Sequence, residues 1–224
     1  MRNSDFNYSK KLVLIGGGGH CKSVLDSVFR MGVYQDIVIT DLEIPVRTSI
    51  MGCSVVGDDS LLPKLFANGY KKAIITVGSI KTTKPRENIY NKIKRIGFKL
   101  ETIIDPSAQV SEYAKIGNGT FVGKNACINS EAIIGDNAII NTNAVIEHDC
   151  KVGDFSHISV NAVLCGESRV GDYSFIGANS TVIQGVTVGS RSVIGAGTIV
   201  IDNIGDNIMM YNNVHKNIVR GGIT

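Results

Sequence analysis

From Ile104 onward an aliphatic residue returns every six positions, and no other feature limits the fold of this chain so tightly. The series is Ile104, Val110, Ile116, Val122, Ile128, Ile134, Ile140, Ile146, Val152, Ile158, Leu164, Val170, Ile176, Val182, Val188, Ile194 and Val200. Four residues after each, the side chain is usually small, as at Ala126, Ala132, Ala138, Ala144, Cys150, Ser156 and Ala162. A glycine often follows the aliphatic residue directly, as in Ile116-Gly117, Ile134-Gly135, Val152-Gly153 and Val188-Gly189. Six residues hold one short strand and one turn. Three such units close a triangular coil, and stacked coils form a parallel β-helix. The aliphatic side chains point inward and stack, the small residues fit the crowded corners, and Gly or Asn is expected to carry the tight turns. Such arrays need their open ends covered. The preceding half is expected over one end and Gly205–Thr224 over the other.

The first half follows a different rule. Leu12–Ile15 is a short apolar run ending in glycines, and Lys22–Met31 sets Val24, Leu25, Val28 and Phe29 on one helical face. Ile37–Thr40 reads as a second strand, Ser60–Phe66 as a short helix and Ala73–Val77 as a further strand. Pro85–Ile96 begins with a proline near the first turn and carries Ile89, Tyr90, Ile93 and Ile96 at helical spacing. Alternating strands and helices predict a small, Rossmann-like parallel α/β sheet. The chain is thus expected to divide into residues 1–103, the α/β unit, and residues 104–224, the β-helix.

The stretch Gly16-Gly-Gly-Gly-His-Cys-Lys-Ser23 falls between the first strand and the first helix. It approaches the phosphate loop G-x-x-x-x-G-K-[ST], but Cys21 stands where the second glycine belongs. The dinucleotide fingerprint G-x-G-x-x-G fails at the same residue. What both motifs share survives: bare backbone N–H groups at a helix N-terminus, a cradle for an anion. Residues 1–103 carry 16 Lys/Arg against 9 Asp/Glu, while residues 104–224 carry 7 against 11. The basic half is the one with the glycine loop, which suits an anionic ligand. Its cations are scattered and not interleaved with aromatics, so nucleic acid is not expected as a partner. No stretch approaches a membrane span. The N-terminus lacks the apolar core of a signal peptide, and five irregularly spaced cysteines fit a reduced, cytoplasmic setting better than a disulfide framework.

The four histidines include His148, in Ile146-Glu-His-Asp-Cys150, two positions after an inward isoleucine. That offset puts it at a turn or outward face, open to substrate. An imidazole accepts a proton near neutral pH, and a flanking carboxylate can orient it and favour its charged form. Glu147 and Asp149 both flank it, and the sequence leaves open which one acts. Cys150 falls on a small inward position and is expected in the core.

These motifs together resemble one family. The uninterrupted repeats are similar to those of the hexapeptide-repeat acyltransferases, whose coils wind left-handed. "IGGGGH", "VITD", "ITVGSIKTTKPRENIY" and "IEHDCKVGDFSHIS" narrow the likeness to the sugar O- and N-acyltransferases that include the NeuD sialic acid O-acetyltransferases and the PglD acetyltransferase. The resemblance covers nearly the whole chain. It implies a homotrimer with acetyl-CoA in the clefts between neighbouring β-helices and no metal. It implies that His148 is the catalytic base and Asp149 its acidic partner. It further implies that His157, Gly166, Ala178 and Ala196 contact acetyl-CoA, and that Gly18, Gly19, His20, Asp41 and Gly78 hold the acceptor. The expected acceptor is a nucleotide-linked 4-amino-4,6-dideoxy sugar, N-acetylated for a surface glycan. The alternative is O-acetylation of sialic acid or a related nonulosonate.

Two remoter readings use the same coil. A γ-carbonic-anhydrase-like enzyme needs three zinc-binding histidines, but the repeats hold only His148 and His157, and His215 is in the tail. A non-catalytic trimer predicts no acetyl transfer at all. The tail, Asn212-Asn-Val-His-Lys216, also lacks the Gly-x-Pro-Ala-Lys segment common at the end of such coils.

Overall fold

The computed structural model describes residues 10–79 and 82–211. The tail segment Asn212–Lys216 and His215 lie outside the described residues. The first half forms one six-stranded sheet from β1 (Lys11–Ile15), β2 (Asp36–Thr40), β3 (Ser49–Ile50), β4 (Cys53–Gly57), β5 (Lys72–Ile75) and β6 (Lys99–Leu100). The strand order is β3-β4-β2-β1-β5-β6, parallel throughout except for the β3–β4 hairpin. Three helices pack around it: α1 (Gly19–Met31), α2 (Leu62–Ala67) and α3 (Lys84–Ile96). β1 is central and its Leu12–Ile15 are buried, as the continuous apolar run requires. On α1, Val24, Leu25 and Val28 are buried, but Phe29 is 42% exposed and is not part of the inward face. β5 stops at Ile75, short of the expected Val77, so Thr76–Ser79 leave the sheet as a loop.

The second half is a triangular prism of three all-parallel faces. One begins at Ile103–Ile104 and runs through seven strands, one at Gln109–Val110 through six, and one at Lys115–Ile116 through five. Ladder partners differ by 18 residues, as in Ile128↔Ile146 and Ile146↔Leu164, up to the last pair, where Val193 meets Met209. The sixfold aliphatic series forms a continuous interior from Val122 to Val200, lined with buried Ala126, Ala132, Ala138 and Ala144. At Ser156, Ser174, Ser180 and Ser192 the small residue's hydroxyl donates to a glycine carbonyl one coil on, as Ser156 does to Gly171 at 2.7 Å. Cys150 is buried there too, its Sγ 3.1 Å from the Cys165 carbonyl oxygen.

The turns match the expectation in part: Gly119, Asn125, Asn143, Asn161, Asn179, Gly185 and Gly197 take the left-handed φ, as expected of Gly and Asn. The glycines after the aliphatic residues do not supply the left-handed φ. They allow close stacking: a Cβ on Gly153 would lie 2.6 Å from the Asp172 backbone nitrogen. The left-handed residues come two positions later and include Asn137, Asn143, Asp149, Phe155, Glu167, Tyr173 and Arg191, all with φ between 54° and 63°. A side chain is tolerated there because the repeating coil over-determines the backbone.

The α/β unit lies along one side of the prism rather than over its end. Ile103, Phe121, Ile139 and His157 occupy outward positions on one face, yet each is buried. Three of them join the core of α1 and the sheet. The first-coil inward residues Ile104, Val110 and Ile116 stay only half-buried, because the end above them is not covered by a packed core. Polar clamps fix the contact. Asp105, fully buried, accepts from the Ser27 hydroxyl at 2.6 Å and from Arg30 at 3.0 Å, and Lys124 pairs with Asp26.

Candidate active site

The four glycines of the loop divide into two pairs by what surrounds them. Gly16 has φ +106°, and a Cβ there would meet Val77 Cγ2 at 2.6 Å. A Cβ on Gly17 would strike Ile44 and Ile50. These two are glycines because the chain leaves no room. Gly18 and Gly19 face open space, with nothing within 4 Å of an added Cβ. Gly18 is the N-cap of α1 and makes no side-chain cap bond, so no cap side chain claims the first-turn N–H groups that a helix leaves without intrahelical partners. Cys21 does not narrow the opening. It is buried in the core, and burial pushes its thiol up to about 12.

That space is a cavity of about 560 Å³ between the α/β unit and the prism. It brings together Gly18, Gly19, His20, Asp41, Gly78 and His157. Ser79, Asn141 and Thr142 also line it, none of which the motifs singled out. A second cavity of about 610 Å³ adjoins it and shares Gly16, Asp41 and Val77. Asp41 is anchored at the junction: Oδ2 accepts from Gly17 N at 2.6 Å, and Oδ1 accepts from Glu43 N and Ile44 N. Burial pushes its pKa up, but those three N–H bonds outweigh it and hold the carboxyl below its usual range.

His157 Nδ1 lies 3.1 Å from the Ser79 carbonyl oxygen, which can only accept. The ring proton is therefore on Nδ1, and Nε2 accepts from the Asn141 amide at 3.3 Å. Burial, then the charge of Arg86, pushes its pKa down to about 4 against the opposing pull of the Ser79 bond. His20 packs edge-on against Phe121 and is pushed down to about 3 by burial, Arg86 and His157. Its Nε2 is buried with no partner. Both histidines are neutral at physiological pH.

His148 is elsewhere and different. Its side chain is 57% exposed at a corner of the prism. Nδ1 sits 2.9 Å from Asp149 Oδ2. Glu147 instead accepts from the Asn129 amide at 3.0 Å and from His148 N. Asp149 is therefore the carboxylate that orients the ring, helped by a left-handed φ of 62° that turns its side chain back. The Asp149 bond raises the His148 pKa above its ordinary value, with smaller contributions from Glu147 and Glu167. Gly166 lies one coil on, and a Cβ there would come within 2.7 Å of His148 Nε2. The glycine keeps the basic nitrogen clear.

The remaining positions follow the coil. Thr142, Val160, Ala178 and Ala196 form one corner column, joined by Asn161 N→Thr142 O, Asn179 N→Val160 O and Gly197 N→Ala178 O. Ala178 and Ala196 thus continue the corner that borders the cavity. His148 and Gly166 belong to a different corner, joined by Glu167 N→His148 O. One chain brings the glycine-loop residues and His157 together, and His148, Asp149 and Gly166 together, at separate corners. Among the described residues, no three His, Cys, Asp or Glu side chains converge as metal ligands would. No helix among them is long and apolar enough to cross a membrane.

Known proteins match both halves. The PglD N-terminal domain matches residues 11–93. The bacterial transferase hexapeptide (six repeats) matches residues 113–148 and 131–166, and the hexapeptide repeat of succinyl-transferase matches residues 169–201. No curated protein matches the chain. Among solved structures, a histidine-to-asparagine mutant of perosamine N-acetyltransferase from Caulobacter crescentus, in complex with CoA and GDP-perosamine, is 34% identical. That match covers 92% of this chain and 95% of that one, with a TM-score of 0.85. The acetyltransferase domain of PglB from Neisseria gonorrhoeae, in complex with acetyl coenzyme A, is also 34% identical over 92% of this chain and 97% of that one, with a TM-score of 0.85. WeeI from Acinetobacter baumannii, 18% identical over 91% of this chain and 97% of that one, shares the fold with a TM-score of 0.79. The chain belongs to the hexapeptide-repeat sugar acetyltransferases with a PglD-type N-terminal domain, and its prism is a left-handed β-helix.

Proposed function

We propose that this protein transfers the acetyl group of acetyl-CoA to the amine of a nucleotide-linked amino sugar. The observation that carries this reading is the His148–Asp149–Gly166 arrangement: Nδ1 is held by a carboxylate and Nε2 is bare behind a glycine. The relatives bound to CoA, acetyl-CoA and GDP-perosamine support it. Nε2 of His148 accepts a proton from the sugar amine as the nitrogen adds to the thioester carbonyl. The C–S bond then breaks, the thiolate leaves and takes up a proton, and no acyl-enzyme is needed. Acetyl-CoA fits a corner column of small residues such as Ala178 and Ala196, where little stands between a ligand and the main chain.

In this reading, residues 1–103 hold the acceptor through Gly18, Gly19, His20, Asp41 and Gly78, and residues 104–224 perform the transfer. His157 lies where the two meet. Because the two clusters stand at different corners of a triangular prism, a homotrimer that sets one chain's His148 corner against the next chain's cavity would complete three equivalent sites. A cytoplasmic setting fits five unpaired cysteines and the acetyl-CoA supply. The test is a panel of UDP- and GDP-linked amino sugars, sialic acid and CMP-sialic acid, each with acetyl-CoA and a thiol reagent. Turnover on an amino-sugar nucleotide is expected. Turnover on sialic acid alone would replace N-transfer with O-transfer. Light scattering of the purified protein tests the trimer.

A further inference from the structure

Among the described residues Arg86 is the largest fully buried side chain, 1% exposed, and its hydrogen-bond partners are all main-chain carbonyls. Nη1 donates to Ile75 O at 3.1 Å and to Val77 O at 2.7 Å, and Nη2 donates to Asn137 O at 2.8 Å. Burial pushes its pKa down only to about 10, so it stays charged at neutral pH. A cation buried without a carboxylate is unfavourable by several kcal/mol unless other groups offset it, so its position calls for a reason beyond filling space.

Its partners supply one. Val77 leads into Gly78 and Ser79, the wall of the acceptor cavity, and the Ser79 carbonyl fixes the proton of His157. Asn137, buried at φ +54°, sits in the turn just before the Ile139–Ile140 strand, and Asn141, the other partner of His157, directly follows that strand. Both hydrogen bonds to His157 thus hang from segments that Arg86 holds. Four residues at this seam also have buried polar atoms without partners: His20 Nε2, Ser79 Oγ, Arg86 Nε and both side-chain polar atoms of Asn137. Such a concentration of unmet hydrogen-bonding groups marks a place built for a polar ligand or ordered water.

We infer that Arg86 is a positioning residue of the acceptor pocket, clamping the Val77–Ser79 wall to the Asn137 turn so that His157 keeps one tautomer and His20 offers a free ring nitrogen. The role of the pocket rests on the proposed function; the clamp and its effect on the histidines do not. The charged or titratable groups around the two rings are Arg86, the rings themselves and Asp41 across the cavity. Removing the Arg86 charge makes both histidines easier to protonate.

The test compares full-length Arg86→Lys and Arg86→Met with the parent. Two-bond ¹⁵N-histidine spectra across pH report the tautomer and titration of each ring without any acceptor. The parent is expected to show the Nδ1–H tautomer at His157. Arg86→Met is expected to mix tautomers and titrate both rings at higher pH. Arg86→Lys keeps the charge but loses the fork, so titration stays low while the tautomers mix. With the best nucleotide sugar of the panel, both variants should raise the acceptor KM about tenfold or more and leave the acetyl-CoA KM within about twofold. Lower thermal stability with parental histidine spectra and KM would reduce Arg86 to a structural clamp and overturn the inference. If Arg86→Met does not fold, the Arg86→Lys protein decides on the tautomer and KM criteria. If the spectra change but no sugar is acetylated, the inference about Arg86 stands and the proposed function falls.

Discussion

Nδ1 of His148 lies 2.9 Å from Asp149 Oδ2, and a carboxylate oxygen can only accept. The ring proton is therefore committed to Asp149, and the lone pair is left on Nε2. Gly166 clears the space in front of that nitrogen. An imidazole nitrogen with a free lone pair, the carboxylate that orients its ring and the open approach to it come from two successive coils of one corner.

The dyad predicts a pH profile. The folded pKa of His148 is raised, so the neutral ring is lost as pH falls through a value above 6.5. The acid limb of kcat/KM should fall at that raised pKa, above the ordinary imidazole value. Asp149→Asn removes the charge and should move the limb down, with kcat lower by about tenfold. His148→Ala should lower kcat by about 10²–10⁴-fold. Unshifted profiles in Asp149→Asn would mean that Glu147 or Glu167 supplies the field instead.

Gly166→Ala separates activity from stability. Its Cβ would press on Cε1 and Nε2 of an exposed ring, which can swing aside at little structural expense. Stability should stay within about 0.5 kcal/mol of the parent. The displaced base should lower kcat by about tenfold or more. Equal kcat in a well-folded variant would show that Nε2 does not approach the substrate there.

The coil was readable because every repeat enforces the same constraint. An inward Ile or Val is needed at each sixth position, and one irregular residue does not hide the period. The turn residues were harder, since glycine usually signals a positive φ, whereas here Gly135 and Gly153 serve close stacking and Asn137 and Phe155 take the left-handed φ. The β3–β4 hairpin was missed because two- and five-residue strands give little alternation, although the Met51-Gly52 turn between them was a usable signal. Glu147 and Asp149 could not be ranked without geometry. Arg86 was invisible because a cation on an amphipathic helix normally marks the solvent face.

Asp105 predicts an acid transition. Burial favours its neutral form, but Ser107, Ser27 and Arg30 outweigh that and hold its pKa below the usual range. A depressed carboxyl stabilises the fold above its unfolded pKa of about 4 and loses that stability as pH falls through the lower folded value. Asp105→Ala should destabilise the protein by about 2–4 kcal/mol at pH 7 and flatten the loss below about pH 4. Urea unfolding at pH 7, 4 and 3 reads both effects. A variant that keeps the parental acid sensitivity would assign it to other carboxylates.

The glycine loop makes the sharpest division between fold and ligand. Gly16→Ala must place a Cβ at φ +106°, against Val77 Cγ2 and the Val77 backbone nitrogen at 2.6 and 2.9 Å. It should destabilise the protein by about 1–3 kcal/mol or more. Gly18→Ala meets nothing in the protein, so stability should hardly change. Its methyl group would instead enter the cavity and, with the acceptor bound there as proposed, raise the acceptor KM about tenfold, leaving acetyl-CoA binding intact. His20→Ala should do the same, because the unpartnered Nε2 is then lost from the pocket floor. Calorimetric titration with the accepted sugar nucleotide and, separately, with CoA distinguishes the two ligands. If Gly18→Ala or His20→Ala weakened CoA and spared the sugar nucleotide, the loop would belong to the donor side, and the assignment of acceptor to residues 1–103 would have to be reversed.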